Sequence, residues 1–185
     1  MAVTFETSIH SNMTLPKLIF ISLFFCFTRK ALGQQNFYCK LDTFEIVTNQ
    51  HLDNFLYKLQ FDSIKEYTKT SAIPRFIKKS LDCLTGGDFS IAEPFQEFRS
   101  TCSSPLHLPR RQLKYLGLSK NLLAMVYLTG GIAEETHIIL ITYYGETILD
   151  IWEGSDISGK VRNRSQMITF LKKARTKKFN DFGYL

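Results

Sequence analysis

Apolar positions recur first at helical spacing and then, past the middle of the chain, at strand spacing. Leu52, Phe55, Leu56 and Leu59 stand at i, i+3, i+4 and i+7, which makes one buried stripe, with Asn49 placed as its cap. Asp62 or Ser63 is positioned to cap a short following helix through Tyr67. Phe76, Ile77, Leu81 and Leu84 form a second stripe, predicting a helix over Ile73–Thr85. Pro74 sits where a missing N–H costs nothing, and Gly86-Gly87 is the stop. Asp88–Pro109 reads as irregular, broken by Pro94, Pro105 and Pro109, with Phe89, Ile91, Phe95 and Phe98 expected to pack on the body.

Strand patterns follow at Gln112–Leu118, Leu122–Thr129, His137–Tyr143 and Thr147–Trp152. Ser119–Asn121, Gly130-Gly131 and Tyr144–Glu146 are turn sequences, and connections that short force antiparallel neighbours. Ile138–Ile141 is apolar without alternation, which places that strand centrally. A last helix is predicted from Ser165, with Met167, Phe170, Leu171 and Ala174 on one side. The expected fold class is α+β: N-terminal helices, a four-stranded antiparallel meander and a basic C-terminal helix.

The uncharged run Leu18–Phe27 changes the domain picture. Ten residues are too few to span a bilayer, which takes about 20, but they suit the apolar stretch of a secretory signal. Lys17 precedes the run, and Ala31-Leu32-Gly33 puts small residues where a signal peptidase cuts. The expected division is a signal peptide over 1–33, with translation starting at Met13, and one α+β domain over 34–185. Arg29 and Lys30 depart from the usual pattern of such signals. The location implied is periplasmic or secreted.

Charge divides the chain again. Gln34–Asp156 carries 12 Lys+Arg against 15 Asp+Glu, and Ile157–Leu185 carries 8 against one. The basic segment Lys172–Lys178 suits an anionic surface or the protein's own acidic body; an exported protein is not expected to bind nucleic acid. Removing the signal leaves Cys39, Cys83 and Cys102, an odd number with three possible pairings. Cys83–Cys102 would close a loop of about twenty residues and contribute roughly 3 kcal/mol on a chain-entropy account. Buried free thiols are the equal alternative.

Gly87–Pro94, Leu108–Leu113, Gly130-Gly131-Ile132 and Asp150–Gly154 resemble segments of a family of small, uncharacterised exported proteins from Gram-negative bacteria of the Bacteroidetes type. The resemblance spans residues 86–154 and implies export, but brings no catalytic residues with it. The order of helices and curved sheet is also similar to NTF2-like and cystatin-like folds, an analogy that does not fix function.

Few residues suggest chemistry. His137 and Asp150 lie on adjacent strands, and Trp152 alternates with Asp150. If the two strand faces coincide, a histidine and a carboxylate meet beside an aromatic ring, the minimum for acid–base work. Arg111, after Pro109-Arg110, is a candidate clamp for a carboxylate or phosphate, against a surface or salt-bridged role. Trp152 is a candidate stacking platform, against core packing. Nucleotide loops and metal-ligand spacings do not occur, so no cofactor or metal is expected. Asn163-Arg-Ser165 is a glycosylation sequon. These features favour an exported, non-catalytic binding module with a modest apolar pocket. The alternative is a small NTF2-like enzyme using His137 and Asp150.

Overall fold

The computed structural model describes residues 46, 49–156 and 159–176. The chain divides into two units, Met1–Asn36 and Phe37–Leu185, and every described residue belongs to the second. The apolar run 18–27, the expected cleavage site, Cys26, Cys39 and residues 177–185 lie outside the described residues. In chain order the elements are α1 (Leu52–Phe61), β1 (Lys65–Tyr67), a 3₁₀ turn (Thr70–Ala72), α2 (Arg75–Leu84), β2 (Ile91–Ala92), β3 (Arg111–Leu118), β4 (Leu122–Thr129), β5 (Glu135–Tyr144), β6 (Thr147–Asp156) and α3 (Arg164–Thr176). No helix among the described residues is long and apolar enough to cross a membrane.

β3, β4, β5 and β6 form the expected antiparallel meander. Two short strands share the outer edge of β3: β1 runs antiparallel to its end and β2 parallel to its start. Among the described residues the result is an α+β fold with an open sheet of six strands. Residues 65–67, read above as the end of a short helix, are therefore an edge strand. Helices cover both faces. Ile73, Ile77, Leu81 and Phe89 close one face over Leu116, Leu123, Met125, Ile139 and Ile151. Phe55, Leu59, Met167 and Leu171 close the other over Val126, Ile138, Leu140 and Trp152. Burial on both faces explains why β4 and β5 show continuous apolar runs rather than alternation.

α2 ends as its glycines require. Gly87 N–H donates to Asp82 O (2.6 Å) and Gly86 N–H to Cys83 O (3.2 Å), with Gly86 at φ +69°. This is a Schellman closure, in which a left-handed residue reverses the chain. α1 and α3 lie antiparallel. At one end Arg164 donates to the carbonyl oxygens of Leu59 (2.7 Å), Gln60 (3.4 Å) and Asp62 (3.1 Å). At the other Arg175 pairs with Asp53 at 2.9 Å. A guanidinium supplies the fork of donors that the last carbonyls of α1 lack, and its charge suits the negative end of that helix. Part of the basic C-terminal segment is thus spent inside the fold. The residue expected to cap α1, Asn49, sits instead at φ +52° and uses its side chain on β6. Its amide donates to Glu153 O and accepts from Glu153 N–H, both at 2.8 Å.

Bulges decide which face each side chain takes. Register shifts between Leu113 and Tyr115 on β3, and opposite Thr142 and Tyr143 on β6, where Leu149 is left over. A bulge reverses the alternation beyond it. Ile148 therefore faces α2, while Asp150 and Trp152 face α1 and α3.

Candidate functional site

The two candidate acid–base residues do not meet. His137 pairs across strands with Tyr127 and Ser155 on the α2 face, whereas Asp150 pairs with Thr142 on the opposite face. The sheet itself separates them, because the Leu149 bulge shifts the parity of β6. Each finds the complementary partner elsewhere. Asp150 Oδ2 lies 3.0 Å from Nδ1 of His51, so that an exposed histidine ties the start of α1 to β6. His137 belongs to a buried polar cluster at the far end of the sheet, the end formed by the start of β3, the β4–β5 turn and the end of β6.

That cluster contains Arg111, Tyr127, His137 and Glu153, all less than 10% exposed. Tyr127 and His137 are stacked, with ring centroids 5.1 Å apart and planes 9° from parallel. His137 Nε2 bonds Thr129 Oγ1 at 2.9 Å and lies 3.6 Å from Glu135 Oε2. Its Nδ1 lies 3.7 Å from Glu153 Oε1 and has no hydrogen-bond partner. The Tyr127 hydroxyl also donates to Glu153 Oε1 at 3.5 Å. Burial, and then the Glu153 carboxylate, hold the Tyr127 phenol far above its ordinary range. Arg111, a candidate clamp from the sequence, is a core residue: its guanidinium lies 4.7 Å from the Phe89 ring centre and 5.8 Å from that of Tyr127. It donates to Asp88 O at 2.7 Å. The exposed partner in the pair is Arg110, which bridges to Asp88 at 2.7 Å.

Trp152 is likewise core, folded back over Gly154 on the face of α1 and α3. Cys83 is in a disulfide, and Cys102 is an exposed free thiol. Cys83 and Cys102 are therefore not paired with each other. Cys102 sits on a surface turn fixed by the Thr101–Gly131 bridge.

The buried cluster has a mechanical consequence: it anchors the long loop from Asp88 to Arg110. Arg111 holds Asp88. Further along, Glu93 accepts from Thr70 N–H (2.8 Å) and Thr70 Oγ1 (2.6 Å). Gln112 holds Gln96 O at 2.5 Å, Arg99 N–H donates to Pro109 O at 2.8 Å, and Gly131 N–H to Ser100 O at 3.2 Å. Gly130 allows the last approach, since a Cβ there would collide with Arg99 O. A loop with so many fixed backbone groups has a defined surface.

On that surface the apolar rule is reversed. Phe95 stands 98% exposed at φ +67°, a conformation a bulky residue adopts only under constraint. Leu106 and Ile132 are also exposed. Phe95 edges a cleft of about 500 Å³ lined by Phe98, Pro105 and Leu108, with Glu97 and Glu134 as its charged residues. Beside it, burial pulls the Lys114 ammonium below the ordinary lysine range, partly countered by Glu134. The sequence suggested that Phe95 packs on the body; no local signal marks its left-handed backbone. A second, larger cleft of about 750 Å³ lies between the end of α1 and the start of α3, lined by polar groups including Glu66, Arg164 and Lys172. No family model, curated protein or solved structure matches the chain.

Proposed function

We propose that this chain is an exported, non-catalytic binding module that holds a peptide segment of a partner in the cleft beside Phe95. One observation carries the reading: a nearly fully exposed phenylalanine, held at positive φ by a loop anchored at Asp88, Glu93, Gln96 and Ser100. Strain of this kind costs on the order of 1–3 kcal/mol and persists only where the surroundings over-determine it. Exposed aromatic and aliphatic side chains around a concavity mark interaction surfaces. A pre-ordered loop also reduces the entropy lost on association. Export rests on the apolar run 18–27 and the small residues Ala31 and Gly33. Likeness to the exported Bacteroidetes-type family over 86–154 fits the same location, and an NTF2-like or cystatin-like relationship is the finer reading of the fold.

Panning a displayed random-peptide library on the full chain tests the binding role. Peptides rich in basic and aromatic residues are expected, with binding lost in Phe95→Ala while circular dichroism stays unchanged. No enrichment, or equal binding to Phe95→Ala, overturns it. N-terminal sequencing of the native protein tests export: a start at Gln34 supports it, and recovery of residues 2–12 counts against it.

A further inference from the structure

We propose that the outer face of α1 and α3 docks on an anionic lipid surface, with Tyr57 and Phe61 entering the headgroup layer and Lys172 and Arg175 meeting the phosphates. This face is separate from the Phe95 cleft and does not depend on it.

α1 supplies the apolar part. Asp53, Tyr57 and Phe61 stand four residues apart and so share one stripe of the helix. Tyr57 and Phe61 are 62% and 69% exposed, and their ring centroids lie 4.9 Å apart. The core needs neither ring, because the buried side of α1 is made by Phe55, Leu56 and Leu59.

α3 supplies the charge. It carries four cations and no carboxylate. Ile168, Lys172 and Arg175 form its stripe beside α1. Arg175 reaches Asp53 at 2.9 Å, while Ile168 and Lys172 line the cleft between the helices together with Gln60. Arg164, in the same lining, is occupied by the carbonyl oxygens of α1. Lys172 is exposed and has no ion pair among the described residues. Both members of the Arg175–Asp53 pair are exposed, and such a pair contributes little, so a phosphate can take the guanidinium over. Glu66 is the one carboxylate in the lining of the cleft.

Other faces lack this combination. The exposed ring of Phe95 adjoins Glu97 and Glu134. Exposed Tyr144 shares its turn with Glu146. On α2 the cations Arg75, Lys78 and Lys79 surround Phe76, but that ring packs on Tyr143 with centroids 5.3 Å apart. The α1–α3 face joins what these faces keep apart, a pair of exposed rings and a run of cations. An anionic headgroup layer takes both: its surface potential draws the cations, and rings settle at the level of the headgroups. The rings also stand on the outer, convex side of α1, where a soft surface closes around them without a matching pocket.

Flotation of the full chain with phospholipid vesicles tests the proposal. Binding to vesicles with about one third phosphatidylglycerol is expected to be at least tenfold tighter than to phosphatidylcholine alone, and to weaken as salt is raised. Any affinity of the apolar run 18–27 is common to both vesicles, so the ratio reads the charged face. Tyr57→Ser with Phe61→Ser should weaken binding to the anionic vesicles at least tenfold, with circular dichroism unchanged. Lys172→Glu with Arg175→Glu should do the same. Lys78→Glu with Lys79→Glu on α2 makes an equal change in net charge and should stay within about twofold of the parent. Phe95→Ala should leave vesicle binding unchanged, which separates this face from the peptide cleft. Equal binding to the two vesicles, an equal loss in the α2 variant, or binding that ignores the ring pair overturns the proposal. So does tight binding to soluble dextran sulfate that survives Tyr57→Ser with Phe61→Ser, since a polyanion without lipid would then suffice.

Discussion

The two ends of the central strands obey different rules. At the end with the β3–β4 and β5–β6 turns, Leu122, Leu123, Ile141 and Ile151 are fully buried, and helices seal both faces. At the other end the same strands bury an arginine, a histidine and a glutamate, while a phenylalanine and an isoleucine stand in solvent. The first end gives most of its length to apolar burial and so to stability, with Tyr144 and Leu149 left exposed beside its turn. The second sacrifices some of it, since buried charge and exposed apolar area both work against folding. Such local reversals are where function is expected to sit.

Substitution separates the two ends. Leu123→Ala removes a fully buried side chain and should cost about 3 kcal/mol in urea denaturation, leaving the Phe95 cleft intact. Arg111→Ala should cost about 2–3 kcal/mol, and should also admit limited proteolysis between Asp88 and Arg110, because the Asp88 anchor goes with it. If proteolysis is unchanged, the cluster does not hold the loop. Arg164→Ala strips the end of α1 of its donors and should cost about 1–2 kcal/mol by the same measurement.

Alkaline pH gives a smaller, graded effect. Burial and the Glu153 carboxylate raise the Tyr127 phenol, and burial with Glu66 raises Tyr115. The unfolded chain therefore loses these protons first. Their contribution is complete below about pH 10 and declines as pH rises beyond it. Urea midpoints measured upward from pH 9 should fall, and Tyr127→Phe should flatten the fall. The smallest effect is a gain: Phe95→Gly should stabilise the protein by about 0.5 kcal/mol, since relieved strain slightly exceeds the added freedom of the unfolded chain. It should abolish peptide binding in the same variant, so that stability and binding move in opposite directions.

Much of the architecture was legible in the residues. The four long strands and their turns stand close to where alternation and turn chemistry put them, and α2 runs from Pro74 to the paired glycines as expected. What failed was short or non-local. Three residues of β1 carry no measurable period, so a capping residue ahead of them suggested helix. β6 continues four residues past Trp152, where the strand pattern in the sequence stops, and this extension carries Glu153, the partner of His137. The bulge at Leu149 has no composition of its own, yet it decides that Asp150 faces away from His137. Candidate site residues could be named singly, but their grouping depends on register, and register depends on the whole sheet.

Asn49 carries a consequence for solubility. Among the described residues β6 is the last strand of the sheet, and outward N–H and C=O groups on such a strand are a template for another chain's strand. The Asn49 amide takes both groups of Glu153, imitating one residue of a neighbouring strand at the middle of that edge. Those two backbone groups are thereby closed to an incoming strand, and Asn49→Ala should reopen that position of the edge, an effect that light scattering of the variant checks.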